Sequence, residues 1–177
     1  MTVMDAIRTR RSVREYDPRP IPDEALHRVL EALRLAPSAC NNQPWKFVVV
    51  QDPMMRQEIA KAARDQKFIA DAPVVVVGVG LPQQAYKSTG GSRNSAEMDV
   101  TIALDHLSLA AVEEGLGTCW IGAFDESRVK KLLKIPETCL IAAMMPLGYP
   151  ARPELLHVVE DRRRKKPQEV LVFGHYH

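Results

Sequence analysis

What is scarce in this chain sets the first limits. Its 177 residues hold three cysteines. Cys40, Cys119 and Cys139 are odd in number and far apart, with no CxxC and no cysteine–histidine pairing. That spacing offers no zinc site and no disulfide framework, so the expectation is free thiols in a reducing cytoplasm. Aromatic residues make up only 6%, too few to interleave the basic stretches with stacking platforms, which argues against a nucleic-acid surface. Charge of one sign is also lacking: 24 Lys and Arg stand against 22 Asp and Glu, a net +2. No apolar run reaches the length of a membrane span; "APVVVVGVGL" is too short. The opening "MTVMDAIRTRRSVREYD" has no apolar signal core. A cytoplasmic protein that engages neither membrane nor nucleic acid is expected.

Several catalytic fingerprints are missing as well. "VVVVGVG" runs into "LPQQ", so Gly78 and Gly80 do not complete a GxGxxG turn. There is no Walker A loop, no GxSxG elbow and no HExxH among His27, His106, His157, His175 and His177. His106 falls in a long helical stretch and reads as a packed or partly exposed residue rather than a catalyst. No side chain is assigned as a catalytic acid, base or nucleophile.

The remainder is ordinary globular material, 46% hydrophobic and 26% charged, enough for one domain over residues 1–177 with its own core. "TVMD" reads as a capping box, Thr2 capping and Asp5 reaching back. Pro22 suits the first turn of a second helix, where Asp23 and Glu24 favour the N-terminus and Leu26, Val29, Leu30 and Leu33 form one stripe. "WKFVVVQD" predicts a strand and "PMMRQEIAKAARDQKFI" a single helix. "APVVVVGVG" predicts a strand covered on both faces. "LPQQAYKSTGGSRNS" is expected as a mobile surface loop. "AEMDVTIALDHLSLAAVEEGLG" predicts a long, largely buried helix, with Gly115 and Gly117 at its C-terminal cap. "TCWIGAF" reads as a short strand or loop, "DESRVKKLLKI" as a helix capped by Asp125, and "CLIAAMMPLGYP" as a buried strand. Strands alternating with helices, without repeat or linker, give an α/β or α+β domain.

Four stretches carry chemistry. "RTRRSVR" places Arg8, Arg10, Arg11 and Arg14 around Ser12 at an expected helix end, and guanidinium forks beside a hydroxyl are good phosphate ligands. "RRRKK", Arg162 to Lys166, is a second compact cluster; either could also be a solvated patch. "PSACNNQPW" sets Asn41, Asn42 and Gln43 between a helix and a strand. Their amides can read the edge of a heterocycle, while small Ser38 and Ala39 let backbone approach a flat ring. The same residues could simply stop the helix with Asx-turns. In "GTCWIGAF", Gly122 and Ala123 leave backbone N–H groups uncovered, available to a cofactor or a developing anion, or to a tight turn.

The ordered set "RRSVREYD", "APSACNNQPWKFVVV", "GLGTCWIGAFDESRVKKLL", "LGYP" and "RRRKKPQEV" resembles the FMN-dependent nitroreductase family over nearly the whole chain. The resemblance implies an α+β fold with a central mixed, mainly antiparallel sheet flanked by helices. It also implies an intertwined homodimer with two FMN sites at its interface, the long helix forming much of the dimer core. Carried over, Arg10 and Ser12 match positions for the FMN phosphate and ribityl chain, with Arg11 between them. Arg14 matches a cation near the pyrimidine end of the flavin. Pro37, Ser38, Ala39, Asn41 and Gln43 match the segment lent by the partner chain. Ile121, Gly122 and Ala123 match residues beside the flavin's reactive nitrogen, and Arg163 and Lys165 match the tail cations on the phosphate. Many relatives carry an asparagine near "RDQKFIADAP"; here Asp65 or Gln66 is the nearest candidate. The implied activity is hydride transfer from NAD(P)H to FMN, then reduction of a nitroaromatic, a quinone or a similar small acceptor, by a ping-pong mechanism. Flavin destruction, desaturation or dehalogenation with reduced flavin is the alternative chemistry, and a non-catalytic flavin-binding protein the alternative class.

Overall fold

The computed structural model describes residues 1–90 and 93–176. Among the described residues, seven helices pack on a four-stranded sheet: α1 (Val3–Thr9), α2 (Asp23–Arg34), β1 (Trp45–Val50), α3 (Pro53–Ala62), α4 (Phe68–Asp71), β2 (Val74–Gly80), α5 (Ala96–Glu113), β3 (Gly117–Thr118), α6 (Glu126–Leu133), β4 (Leu140–Gly148) and α7 (Pro167–Val170). The strand order is β1-β2-β4-β3, and all three pairings are antiparallel. The parallel element of the expected mixed sheet is a single bridge, Ser12 to Thr118. The architecture is α+β.

Local chemistry accounts for most boundaries. Thr2 and Asp5 form the reciprocal capping box of α1. Asp52 and Asp125 accept from Met55 and Arg128 backbone N–H groups and cap α3 and α6. Pro22 stands one residue ahead of α2, at its N-cap. β2 is buried along its whole length. Val75, Val77 and Val79 meet Ile59, Ile69, Val129 and Met144 on one face. On the other face Val74 and Val76 meet α2 and α5 through Val29, Leu33, Val100 and Leu104. A bulge between Gly78 and Val79 leaves Ala142 unpaired on β4. Fully buried Leu104 and Leu107 each contribute about 1.5–3 kcal/mol by leaving water.

Three sequence expectations are corrected. The stretch 53–69 is not one helix: α3 stops at Ala62, and Arg64 (φ 59°) and Asp65 (φ 55°) turn left-handed before α4 begins. Gly115, at φ 70°, does end α5, but Gly117 belongs to β3. There a Cβ would come 2.5 Å from Cγ2 of Val13, so the requirement is close approach rather than capping. Finally, α5 is buried along one face only. Met98, Thr101, Asp105 and His106 are exposed, and Ile102 and Leu109 are half-buried. Of the polar loop after β2, Gly91 and Ser92 lie outside the described residues. Its base is closed by Ser95, which donates from N–H to Tyr86 O at 2.9 Å and accepts from the Tyr86 N–H at 3.1 Å. His177 also lies outside the described residues.

Replacing Gly117 with Ala should lower unfolding stability by about 1–3 kcal/mol in urea titration, as over-packing of a tight contact does. Adding Val13→Ala should recover part of that loss. A Gly117→Ala protein as stable as the parent would show that the approach of Val13 is not tight.

Candidate functional site

The site begins where α1 ends. Arg10 leaves the helix at φ −53°, ψ 128°. Arg11 turns back and donates from its guanidinium to Arg10 O at 2.5 Å and Arg8 O at 2.9 Å, satisfying carbonyls that the helix end leaves open. The chain then runs along the sheet edge. Val13 N–H donates to Thr118 O, Asp17 N–H to Tyr149 O, and Ala151 N–H to Glu15 O, each at 2.9 Å. Tyr16 is buried, its hydroxyl 2.9 Å from Val13 O and 3.3 Å from Pro146 O, and burial pushes its phenol well above the usual range.

The C-terminal segment folds back onto this region. Val159 N–H donates to Arg8 O at 2.8 Å. The two basic clusters, from opposite ends of the sequence, therefore face one cleft of about 500 Å³. Arg10, Arg11, Ser12 and Arg14 line one side, and Arg163 and Arg164 come from the tail. Leu155, His157, Val159 and Glu160 complete the wall. Burial, then the charges of Arg10, Arg164 and Arg163, depresses the Arg11 pKa. Like charges crowded this way disfavour one another until an anion enters. Behind Ser12 lies the buried Cys119; burial raises its thiol pKa, opposed by Arg14, the Ser12 hydroxyl and Arg10. Arg14 also sits 6.0 Å from the centroid of the Phe68 ring, at the outer range of a cation–π contact.

The remaining sequence-derived positions separate from this cleft. Lys165 does not line it, whereas Arg164 does. Pro37, Ser38, Ala39, Asn41 and Gln43 form an independent loop after α2, with Cys40 (φ 52°), Asn41 (φ 55°) and Gln43 (φ 49°) all left-handed. Ser38 Oγ accepts the Gln43 N–H at 2.9 Å, and the Gln43 amide donates to Asn41 O and Oδ1 at 3.3 and 3.2 Å. The side chain of Gln43 is thus spent inside the loop. Ile121 is buried and pairs with Met144 through both backbone bonds. Beyond it, Gly122 and Ala123 are exposed, and among the described residues their N–H groups make no hydrogen bond within the chain. A Cβ at Gly122 would meet nothing within 4 Å, so a flat group has room to approach. Gln66 donates its amide to Ala63 O at 2.8 Å. Asp65 lines a separate groove of about 250 Å³ with Lys61 and Lys67. Neither lines the cationic cleft.

Sequence reasoning singles out neither Arg164, which lines the cleft, nor Asp99, which holds the loop after α2. Arg164 is hidden by the run of five cations around it. Asp99, almost fully buried at 2% exposure, accepts the Ala39 N–H at 3.1 Å. A lone acid inside an apolar helical stripe is its only signal.

A model of the nitroreductase family matches residues 7–67 and 55–149. The chain belongs to the nitroreductase family. It is 33% identical over 171 residues to an NADH dehydrogenase of Thermus thermophilus, covering 80% of this chain and 83% of the relative. It is 29% identical over 181 residues to an FMN reductase [NAD(P)H] of Bacillus subtilis, covering 94% and 69%. Among solved structures, a nitroreductase family protein from Clostridium novyi superimposes with a TM-score of 0.81 at 30% identity over 89% of both chains. The expected family and fold are those found.

The tail register can be checked without any organic ligand. Arg164→Ala should weaken binding of inorganic pyrophosphate by about tenfold, as loss of a charge-assisted contact does, while Lys165→Ala should change it by no more than about twofold. Calorimetric titration at fixed salt reads both, and the reverse order would return the tail to the register expected from the sequence.

Proposed function

We propose that this nitroreductase-family chain is an FMN-dependent oxidoreductase that draws electrons from NAD(P)H. The observation that carries the reading is the convergence of Arg10, Ser12, Arg14, Arg163 and Arg164 on one cleft. The residues fit the group on three counts. Clustered guanidinium groups and a hydroxyl suit a phosphate monoester. The free N–H groups of Gly122 and Ala123 suit hydrogen bonds to a ring edge. The exposed amide of Asn41 offers both a donor and an acceptor to a heterocycle.

The chemistry FMN supplies when bound is transfer of a hydride from NAD(P)H to a small acceptor, such as a nitroaromatic or a quinone, in alternating half-reactions. The chain's own residues bind and tune. Arg10, Ser12 and the tail arginines hold the phosphate. The guanidinium of Arg14 offsets negative charge gathering on the ring and so favours the reduced state. Donor and acceptor share one pocket, which gives ping-pong kinetics.

The arrangement also implies two chains. The loop from Pro37 to Gln43 does not reach the cleft of its own chain, so a homodimer would bring one chain's loop to the other's cleft. Uncovered apolar surface supports this: Val3, Met4 and Ile7 on α1, Met98 on α5, and Val170, Leu171, Val172 and Phe173 in the tail, Phe173 being 92% exposed. Apolar surface of this kind marks an interface rather than a solvated face.

The purified protein should show a two-band flavin spectrum that bleaches on anaerobic addition of NADH or NADPH. The double variant Arg10→Ala, Ser12→Ala should lose FMN yet remain folded and dimeric by scattering; a variant that stays fully yellow would move the phosphate elsewhere. Arg14→Met should lower the flavin midpoint potential in a redox titration, and an unchanged potential would remove Arg14 from its tuning role.

A further inference from the structure

Asp99 has no part in the cleft, yet it is built unlike the rest of the core. It lies in the first turn of α5 among Ala96, Val100 and Ala103, all fully buried. One carboxylate oxygen, Oδ1, accepts the Ala39 N–H at 3.1 Å. The other, Oδ2, is buried and has no hydrogen-bond partner among the described residues. Burying a carboxylate with an unmet acceptor is costly, and an aliphatic side chain of similar size would pack the same space without that cost. The position near the helix N-terminus offsets part of it, because the macrodipole favours negative charge there. The compensation lies in what Oδ1 holds.

Ala39 opens a loop whose backbone is unfavourable by itself. Cys40, Asn41 and Gln43 all take left-handed φ values, a region that costs non-glycine residues free energy and persists only where surroundings enforce it. The enforcing contacts are few. Inside the loop, Ser38 accepts from Gln43, and Gln43 donates to Asn41. Turn bonds run from Asn41 N–H to Ser38 O at 3.0 Å and from Asn42 N–H to Ala39 O at 3.1 Å. The Asp99–Ala39 bond ties the loop, through a side chain, to the long helix of the core.

We propose that Asp99 is a positioning residue for the flavin-facing loop. It anchors the Ala39 amide to α5 and so fixes where Ser38, Ala39 and Asn41 present their groups. This role rests on the reading of that loop as part of the FMN site, but the anchor itself does not depend on flavin.

Two variants and two measurements separate the possibilities. Asp99→Asn keeps an oxygen for the Ala39 N–H; Asp99→Leu fills the space and removes the acceptor. In amide hydrogen exchange, Ala39 should exchange more slowly than Cys40 in the parent and in Asp99→Asn, and should lose that protection in Asp99→Leu. FMN titration followed by fluorescence should show Asp99→Asn within about threefold of the parent and Asp99→Leu weakened by about tenfold or more, the scale of a lost hydrogen bond to a charged group. Should Asp99→Leu fail to fold, slow exchange at Ala39 in the parent and in Asp99→Asn, with FMN affinity kept, still supports the anchor. Unprotected Ala39 in the parent, or Asp99→Leu binding FMN like the parent, overturns it. A protein that protects Ala39 but binds no FMN would keep the anchor and overturn the flavin reading instead.

Discussion

Residues 12 to 17 are pressed against the edge of the sheet, and the candidate site hangs on that contact. Val13 reaches β3 so closely that residue 117 has no room for a Cβ. The bond from Val13 to Thr118, the bridges at Ser12 and Tyr16, and the buried hydroxyl of Tyr16 hold the segment along its length. Once it is held, the exit of α1 is aimed, and Arg10, Ser12 and Arg14 have a fixed direction. The tail meets them because Val159 donates to the same helix end that Arg11 caps. A backbone contact between uncharged residues therefore decides where the charges gather.

Those charges are placed against their own repulsion. Arg11 shows it most plainly, its pKa depressed by burial and by three neighbouring arginines. The fold holds them together by committing Arg11 to backbone carbonyls and by leaving the others exposed enough to stay hydrated. Glu160, an acid in the cleft wall, pairs with Arg162, outside the lining. A cleft with this balance attracts a dianion more strongly than it attracts a neutral ring. On the proposed reading, phosphate capture would supply affinity, and the sparse N–H groups at Gly122 and Ala123 would supply orientation.

Much of this architecture is legible in the order of residues alone. Periodicity marks α2, caps mark α1 and α6, and the unbroken valine run marks a strand covered on both faces. The local signals favour a helix continued through Arg64 and Asp65, wrongly, because "ARDQK" contains neither glycine nor proline. The left-handed turn there comes from how α3 and α4 dock beside β2, which no local signal announces. Gly117 misleads for a related reason: next to Gly115 it looks like a cap, and its true requirement lies in Val13, about a hundred residues away. Similarly, five adjacent cations cannot be told apart by spacing, and the path of the chain after Val159 selects Arg163 and Arg164 to line the cleft.

By itself, the sequence pointed to the family and, through that resemblance, to the α+β class, and it singled out the segments proposed to carry chemistry, because those follow from residue type and order. Tertiary structure decided what meets what. It brought the two ends of the chain to one cleft, kept the asparagine loop away from that cleft in the same chain, and buried Asp99 behind the loop. These are consequences of long-range packing, in which a residue's neighbours are set by the whole fold and not by the few positions beside it.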